Sequence, residues 1–159
     1  MPKRSAGLLL YRVSDDGVSV LLVHPGGPFW ARKDLGAWTI PKGEYSATEE
    51  PLAAARREFE EETGARPAGD FRPLGEVTQP GRKVVCAWAV AGGFDPATLV
   101  SNTFELEWPP RSKRMARFPE IDRAQWFSLD EARQKILSGQ RVFIDRLEQL
   151  LASDEANGD

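Results

Sequence analysis

Four glutamates crowd one short helix-forming stretch: Glu58, Glu60, Glu61 and Glu62 in PLAAARREFEEETG, between Pro51 and Gly64. Pro51 suits the first helical position, where no backbone N–H is needed. Gly64 suits a left-handed stop, and the residues between are mostly good helix formers. The spacing therefore predicts a helix of about three turns from Pro51 to Thr63. Its acids fall in the last turns, where the helix dipole favours cations. Glu58 and Glu62 also repel each other at i,i+4, and each such placement costs roughly a few tenths of a kcal/mol. At about 100° per residue, Glu58, Glu61 and Glu62 share one side of the helix. Leu52, Ala55 and Phe59 form an adjacent apolar side, suited to packing on a sheet. Carboxylates gathered at the edge of a core are the oxygen ligands that hard divalent cations such as Mg²⁺ take. Arg57 reaches Glu61 at i+4 and can hold it. The bland alternative is a solvated acidic face, which is what most charge runs are.

The wider stretch settles between these readings. Residues 43–65 resemble the Nudix box, GX5EX7REUXEEXGU with U bulky and apolar, at Gly43, Glu49, Arg57, Glu58, Phe59, Glu61, Glu62 and Gly64. Only Ala65 departs, where a larger aliphatic residue is usual, which touches helix-end packing rather than chemistry. So many fixed positions make a specific signal. The resemblance implies a Nudix hydrolase of the MutT-like kind. It further implies an α/β/α sandwich around a mixed sheet and hydrolysis of a pyrophosphate link in a nucleoside diphosphate joined to another moiety. Glu58, Glu61 and Glu62 are then metal ligands, with the backbone carbonyl of Lys42 joining them. Two or more Mg²⁺ ions are implied, with Mn²⁺ a substitute. Arg57 orients the carboxylates, Glu49 pairs with Arg57, and Gly43 lets its loop approach the metals. Many family members carry a further acid near the last strand as ligand or base. Glu120 is the candidate here, with Glu105 or Glu107 as replacements. One of the box glutamates can equally take the proton from water.

The surrounding chain supplies the elements that must position this stretch. Ser5–Val13 reads as a strand apolar on both faces, hence central. Asp15-Asp16-Gly17 is a turn, and Val18–His24 pairs back as a hairpin. His24 is the one histidine and is better read as structural or exposed than as catalytic. PGGPFWARKDLG (25–36) is an irregular loop. Phe29 or Trp30 in it can stack on a base or pin the loop to the core, and Arg32 and Lys33 can meet phosphates. A short strand is expected at Ala37–Pro41. The Trp-Thr-Ile-Pro-Lys-Gly segment there resembles the entry of diadenosine polyphosphate hydrolases, and the Lys42 ammonium can touch a substrate phosphate. Phe71–Thr78 and Arg82–Gly92 are expected strands about a Gln79-Pro80-Gly81 turn. Cys86 in the second is a small core residue. Phe94–Leu99 is irregular and Thr103–Trp108 alternates as a strand. PPRSKRMARFPEIDR is read as a basic loop, in which Arg111, Lys113, Arg114 and Arg117 are either solvated or a phosphate grip opposite the carboxylates. Residues 120–127 lead into the last strand. Ser128-Leu129-Asp130-Glu131 is a capping box for a helix to about Leu137, and Val142–Leu151 is a final amphipathic helix.

Together these elements place the chain in the α/β class, with one domain over residues 1–152 and a disordered polar tail at 153–159. Its 159 residues can bury a real core, and its net charge of −3 argues against a general nucleic-acid binder. A single cysteine excludes an internal disulfide. No apolar run approaches the roughly 18 residues of a membrane span, and the short basic N-terminus does not read as a signal peptide. A cytoplasmic protein acting on a small phosphorylated nucleotide is expected, and a homodimer is compatible with the sequence. Dinucleoside polyphosphates or nucleoside triphosphates are the favoured substrates. ADP-ribose, nucleotide sugars and diphosphoinositol phosphates remain open. Two rivals are weighed against this reading. A non-catalytic nucleotide-binding module usually loses one of the box acids, and none is missing here. An RNA-end hydrolase would need a basic path, which only residues 111–117 offer.

Overall fold

The computed structural model describes residues 3–158. Strand β1 (Arg4–Ser14) lies at the centre of the main sheet. It pairs antiparallel with β2 (Gly17–Pro25) through the expected turn. It also pairs antiparallel with the short β3 (Lys42–Glu44). Helix α1 (Pro51–Thr63) follows, then the hairpin β4 (Arg72–Gln79) and β5 (Lys83–Ala91). β5 runs parallel to β1, which makes the sheet mixed. A second hairpin, β6 (Thr103–Glu107) and β7 (Met115–Pro119), forms its own two-stranded sheet. β8 (Ile121–Ser128) returns to pair with β2, giving the order β4-β5-β1-β2-β8. Helices α2 (Leu129–Lys135) and α3 (Arg141–Gly158) close the chain. Among the described residues no helix is long and apolar enough to cross a membrane.

The alternation of β1 divides the core. Ala6, Leu8 and Leu10 pack with Leu21, Val23, Ala54, Ala55 and Phe59 beneath α1. Leu9 and Tyr11 pack on the other face with Val20, Leu22, Phe143, Ile144 and Leu147 beneath α2 and α3. Both faces of β1 are thus covered, as its nearly unbroken apolar run requires. The α/β/α sandwich on a mixed sheet is the fold the sequence implies.

Three expectations are corrected. Ala37–Pro41 is not a strand. Thr39 and Trp38 make single bridges to Val23 and Ile136, and the Ile40 N–H donates to Gln140 Oε1 at 3.0 Å. Pro41 has no N–H to offer a ladder, so regular pairing begins at Lys42. Residues 115–119, read as part of a basic loop, are β7. Ala116 and Phe118 face Leu106 and Phe104 across the hairpin while Met115 and Arg117 are exposed, a period of two that the flanking charges obscure. The tail expected to be disordered from residue 153 is helical through Gly158. Ala152, Glu155 and Ala156 favour helix, and Arg72 Nη2 donates to Asp154 Oδ1 at 2.9 Å. Asp159 lies outside the described residues.

Candidate active site

Helix α1 begins and ends as its residues dictate. Pro51 occupies the first turn, and Gly64 takes φ 87° and donates its N–H to the Glu60 carbonyl at 2.7 Å. The carbonyls of Glu61 and Thr63 accept from Asn102 and Val100, each at 3.0 Å. The segment before β6 therefore satisfies the helix terminus that would otherwise be left bare. The same segment holds Glu120: its N–H donates to the Asn102 carbonyl at 2.8 Å, and its own carbonyl accepts from Gly26 at 2.8 Å. Ile121 N–H donates to Ser101 Oγ at 3.0 Å. Backbone bonds thus bring Glu120 to the corner where α1 ends. Ser101 and Asn102, which do this, carry no chemistry of their own, and nothing in their residue types announces it.

The box side chains form one network about Arg57. Its Nε and Nη2 donate to both oxygens of Glu49 at 2.8 and 3.0 Å. Its Nη1 donates to Glu58 at 2.8 Å and to the Glu61 carboxylate at 3.2 and 3.3 Å. Hydrogen bonding to Arg57 holds the Glu49 carboxyl below its ordinary range, and the same bonds raise the already high Arg57 value. A Cβ on Gly43 would lie 2.0 Å from Glu58 Cδ, so glycine is required for β3 to pass this carboxylate.

Glu58 and Glu62 are raised by burial all the same. Burial raises Glu58, with Arg57 opposing and the charges of Glu61 and Glu120 adding to the rise. Burial pushes Glu62 up to about 8; Lys42 opposes this, and Glu58 and Glu120 add to it. Its one hydrogen bond is a long one from the Lys42 N–H at 3.4 Å. A carboxylate withdrawn from water without a cation partner is costly, and a divalent ion is the partner an all-oxygen group suits. As the side chains stand, no three acids among the described residues converge on one metal-sized point. The Arg57 guanidinium lies between Glu58 and Glu61 and does there what a cation would do. Glu58, Glu61 and Glu62 still supply the kind of carboxylate oxygens that a divalent metal would take, the first two being held by Arg57 in this structure.

The remaining predicted residues divide. Phe29 meets Trp108 edge-on with ring centroids 5.6 Å apart, and Lys33 lies 5.2 Å above Trp30. The 25–36 loop is thereby laid against the β6–β7 hairpin, where Gly27 also abuts Phe104. Arg111 and Lys113 sit at the tip of that hairpin with φ of 64° and 61°. Their N–H groups donate to the Glu107 carboxylate at 3.3 and 3.1 Å. Lys113 precedes Glu120 by seven residues, roughly 23 Å of extended chain at about 3.3 Å per strand residue. Glu107 is thus engaged at the tip and Glu105 lies 3.5 Å from Arg117, whereas the charge of Glu120 acts on Glu58 and Glu62. The Lys42 N–H reaches Glu62, its Cβ lies on the face of Gly7, its cross-strand partner, and its charge still acts on Glu62.

His24 is structural. Fully buried, it meets Asp122 Oδ1 through Nδ1 at 2.8 Å and the Lys33 carbonyl through Nε2 at 2.7 Å. It ties the 25–36 loop to β8. The sequence gives no sign of this pairing, because 98 residues separate the partners.

A family model for the NUDIX domain matches residues 1–147. A phosphonate hydrolase of Streptomyces rubellomurinus, acting on CMP-5'-(N-acetyl-N-hydroxy-3-aminopropyl)phosphonate, is 26% identical over 144 residues, 87% of this chain and 59% of that protein. An RNA pyrophosphohydrolase of Rhodospirillum rubrum is 40% identical over 70 residues, 42% of this chain and 41% of that protein. The chain thus spans about half the length of the curated relatives it matches. Among solved structures, a C. elegans Ap4A hydrolase binary complex superposes with TM-score 0.65 at 20% identity, covering 94% of this chain and 98% of that one. That likeness is one of fold.

Proposed function

The chain belongs to the NUDIX domain family, and from that membership we propose that it is a metal-dependent pyrophosphohydrolase. Its proposed substrate is a nucleoside diphosphate joined to another moiety, a dinucleoside polyphosphate or nucleoside triphosphate before ADP-ribose, nucleotide sugars or diphosphoinositol phosphates. One observation supports the reading: Glu58, Glu61, Glu62 and Glu120 lie close enough that the charges of Glu61 and Glu120 act on Glu58, and those of Glu58 and Glu120 add to the rise that burial gives Glu62.

In this reading Glu58, Glu61 and Glu62 hold Mg²⁺ or Mn²⁺, two or more ions together, with the Lys42 carbonyl as a further ligand. Divalent ions held there would supply the charge that polarises phosphate oxygens and lowers the pKa of the attacking water. Arg57, clamped by Glu49, sets the carboxylate positions, and Gly43 leaves room for them. Glu120 or a box glutamate takes the proton of the water as it attacks phosphorus. Phe29 and Trp30 offer faces to a base, with Lys33 beside them for a phosphate. The distance to Arg111 and Lys113 favours a long polyphosphate for any contact at the hairpin tip.

A panel of nucleotides with Mg²⁺, with products identified by mass in ¹⁸O-water, tests this. Cleavage of a phosphoanhydride with label on one phosphorus is expected. No hydrolysis of any member, or hydrolysis unchanged in a Glu61→Gln, Glu62→Gln variant, would overturn it. The 40% identity to an RNA pyrophosphohydrolase over 70 residues favours a second reading, a 5′-triphosphate RNA end. Binding of such an RNA with a steep salt dependence would support that reading.

A further inference from the structure

A second cavity, of about 330 Å³, opens on the α2–α3 side of the sheet and is lined by Gly36, Lys42, Gln79, Lys83, Ser138 and Gly139 among others. No carboxylate lines it, in a chain of net charge −3. Among the described residues neither Lys42 nor Lys83 forms an ion pair. The larger cavity outside α1, about 440 Å³, is different, since its Arg66 is bound to Glu60 and its Arg57 to Glu49. The floor of the smaller cavity adds donors. Ser138–Gln140 is a 3-10 turn, and the amides of Ser138 and Gly139 find no acceptor among the described residues. The turn runs into the 18-residue α3, whose N-terminal dipole adds positive potential at that end. Gly139 lies close against Gln79, where an added Cβ would be 3.1 Å from Gln79 Cγ, so a bulkier residue would crowd the wall that carries the Gln79 amide.

Two ammonium groups outside any ion pair among the described residues, a side-chain amide and two backbone N–H groups without an acceptor there surround a cavity that no carboxylate lines, although the Lys42 charge is also felt by Glu62. We propose that this cavity binds a phosphate group. Its register places Lys42 between the cavity and the carboxylates, since the Lys42 N–H meets Glu62 while its side chain lines the cavity. The phosphate has two sources of the same chemistry: the far phosphate of the substrate, or a free phosphorylated effector. Only the first source rests on the proposed hydrolytic activity. The binding itself does not.

The test is an amide NMR titration of the metal-free full chain with inorganic tripolyphosphate. Shifts centred on Ser138, Gly139 and Lys83 are expected. Lys83→Met should weaken binding about tenfold or more, the worth of a charge-assisted contact, and Lys83→Arg should restore most of it. The same spectra report whether each variant is folded, and Lys83→Gln serves should the Met variant not be. A non-hydrolysable dinucleoside polyphosphate that displaces tripolyphosphate from these amides identifies the substrate as the source. Simultaneous binding of both identifies an effector. Shifts absent from these amides, shifts confined to Arg111 and Lys113, or wild-type affinity in Lys83→Met would overturn the site, whatever the outcome of the hydrolysis panel.

Discussion

At the scale of single residues, Glu62 carries a conflict that predicts its own signature. Burial places its metal-free pKa at about 8, above the ordinary 4.5. A carboxyl whose folded pKa is raised contributes stability below its unfolded pKa and loses it as pH rises through the folded one. Metal-free protein should therefore lose stability between about pH 4.5 and 8 through this group, and Glu62→Gln should flatten that slope. At pH 8 the Gln variant should melt higher than the parent, by about 2–4 °C for each kcal/mol gained, yet lose hydrolysis. Thermal melts in chelator across this range check it. Equal slopes in parent and variant would remove Glu62 as the buried, uncompensated group. Gly43→Ala makes a complementary case. A methyl group 2.0 Å from Glu58 Cδ should displace that carboxylate and weaken Mn²⁺ binding about 10–100-fold, the usual cost of disturbing a metal ligand's support. The circular dichroism spectrum should be retained.

At the scale of elements, what could be read from the sequence was whatever local chemistry specifies. Pro51 and Gly64 bracket α1, the apolar run of Leu8, Leu9 and Leu10 marks a strand covered on both faces, and Ser128 caps α2, accepting from the Glu131 N–H at 3.2 Å. What escaped depends on distant partners. Residues 37–41 look like a strand, but a buried glutamine more than ninety positions away takes the hydrogen bonds a neighbouring strand would have taken: Gln140 accepts from Ile40 N–H and donates to Thr39 Oγ1 at 2.9 Å. Gln140→Leu should thus leave the Ile40 N–H unsatisfied and cost about 1–3 kcal/mol. Because that segment feeds Lys42 and Gly43, the variant should also raise the Mg²⁺ concentration needed for half-maximal hydrolysis. Denaturant melts and a metal titration of the rate check both effects. The candidate site divided in the same way. Its glutamates lie within one helix and were legible by spacing, whereas Glu120 reaches them only through Asn102 and Gly26, which no local pattern joins to α1.

At the scale of the whole molecule, the fold separates three cationic features from one acidic corner. The hairpin tip with Arg111 and Lys113 extends away from Glu120, the Trp30–Lys33 loop lies along the hairpin, and Lys42 and Lys83 face the other side of the sheet. Under the proposed function, a short substrate would engage the carboxylates without reaching the tip. Arg111→Gly together with Lys113→Gly removes both charges while suiting the positive φ at each site. This pair should raise KM severalfold for dinucleoside polyphosphates with four or more phosphates and leave that for nucleoside triphosphates nearly unchanged. Steady-state kinetics on the two substrate classes decide it, and equal effects on both would place the tip nearer the carboxylates than the hairpin geometry allows.

The proposed hydrolysis turns on divalent ions taking the place that the Arg57 guanidinium holds between Glu58 and Glu61. The direct measurement is a Mn²⁺ titration followed by electron paramagnetic resonance, comparing the parent chain with a Glu58→Gln, Glu61→Gln, Glu62→Gln variant. At least one tightly held ion per chain is expected in the parent, more with a nucleotide present, and only weak binding in a folded variant. Equal Mn²⁺ binding in the two proteins would contradict it.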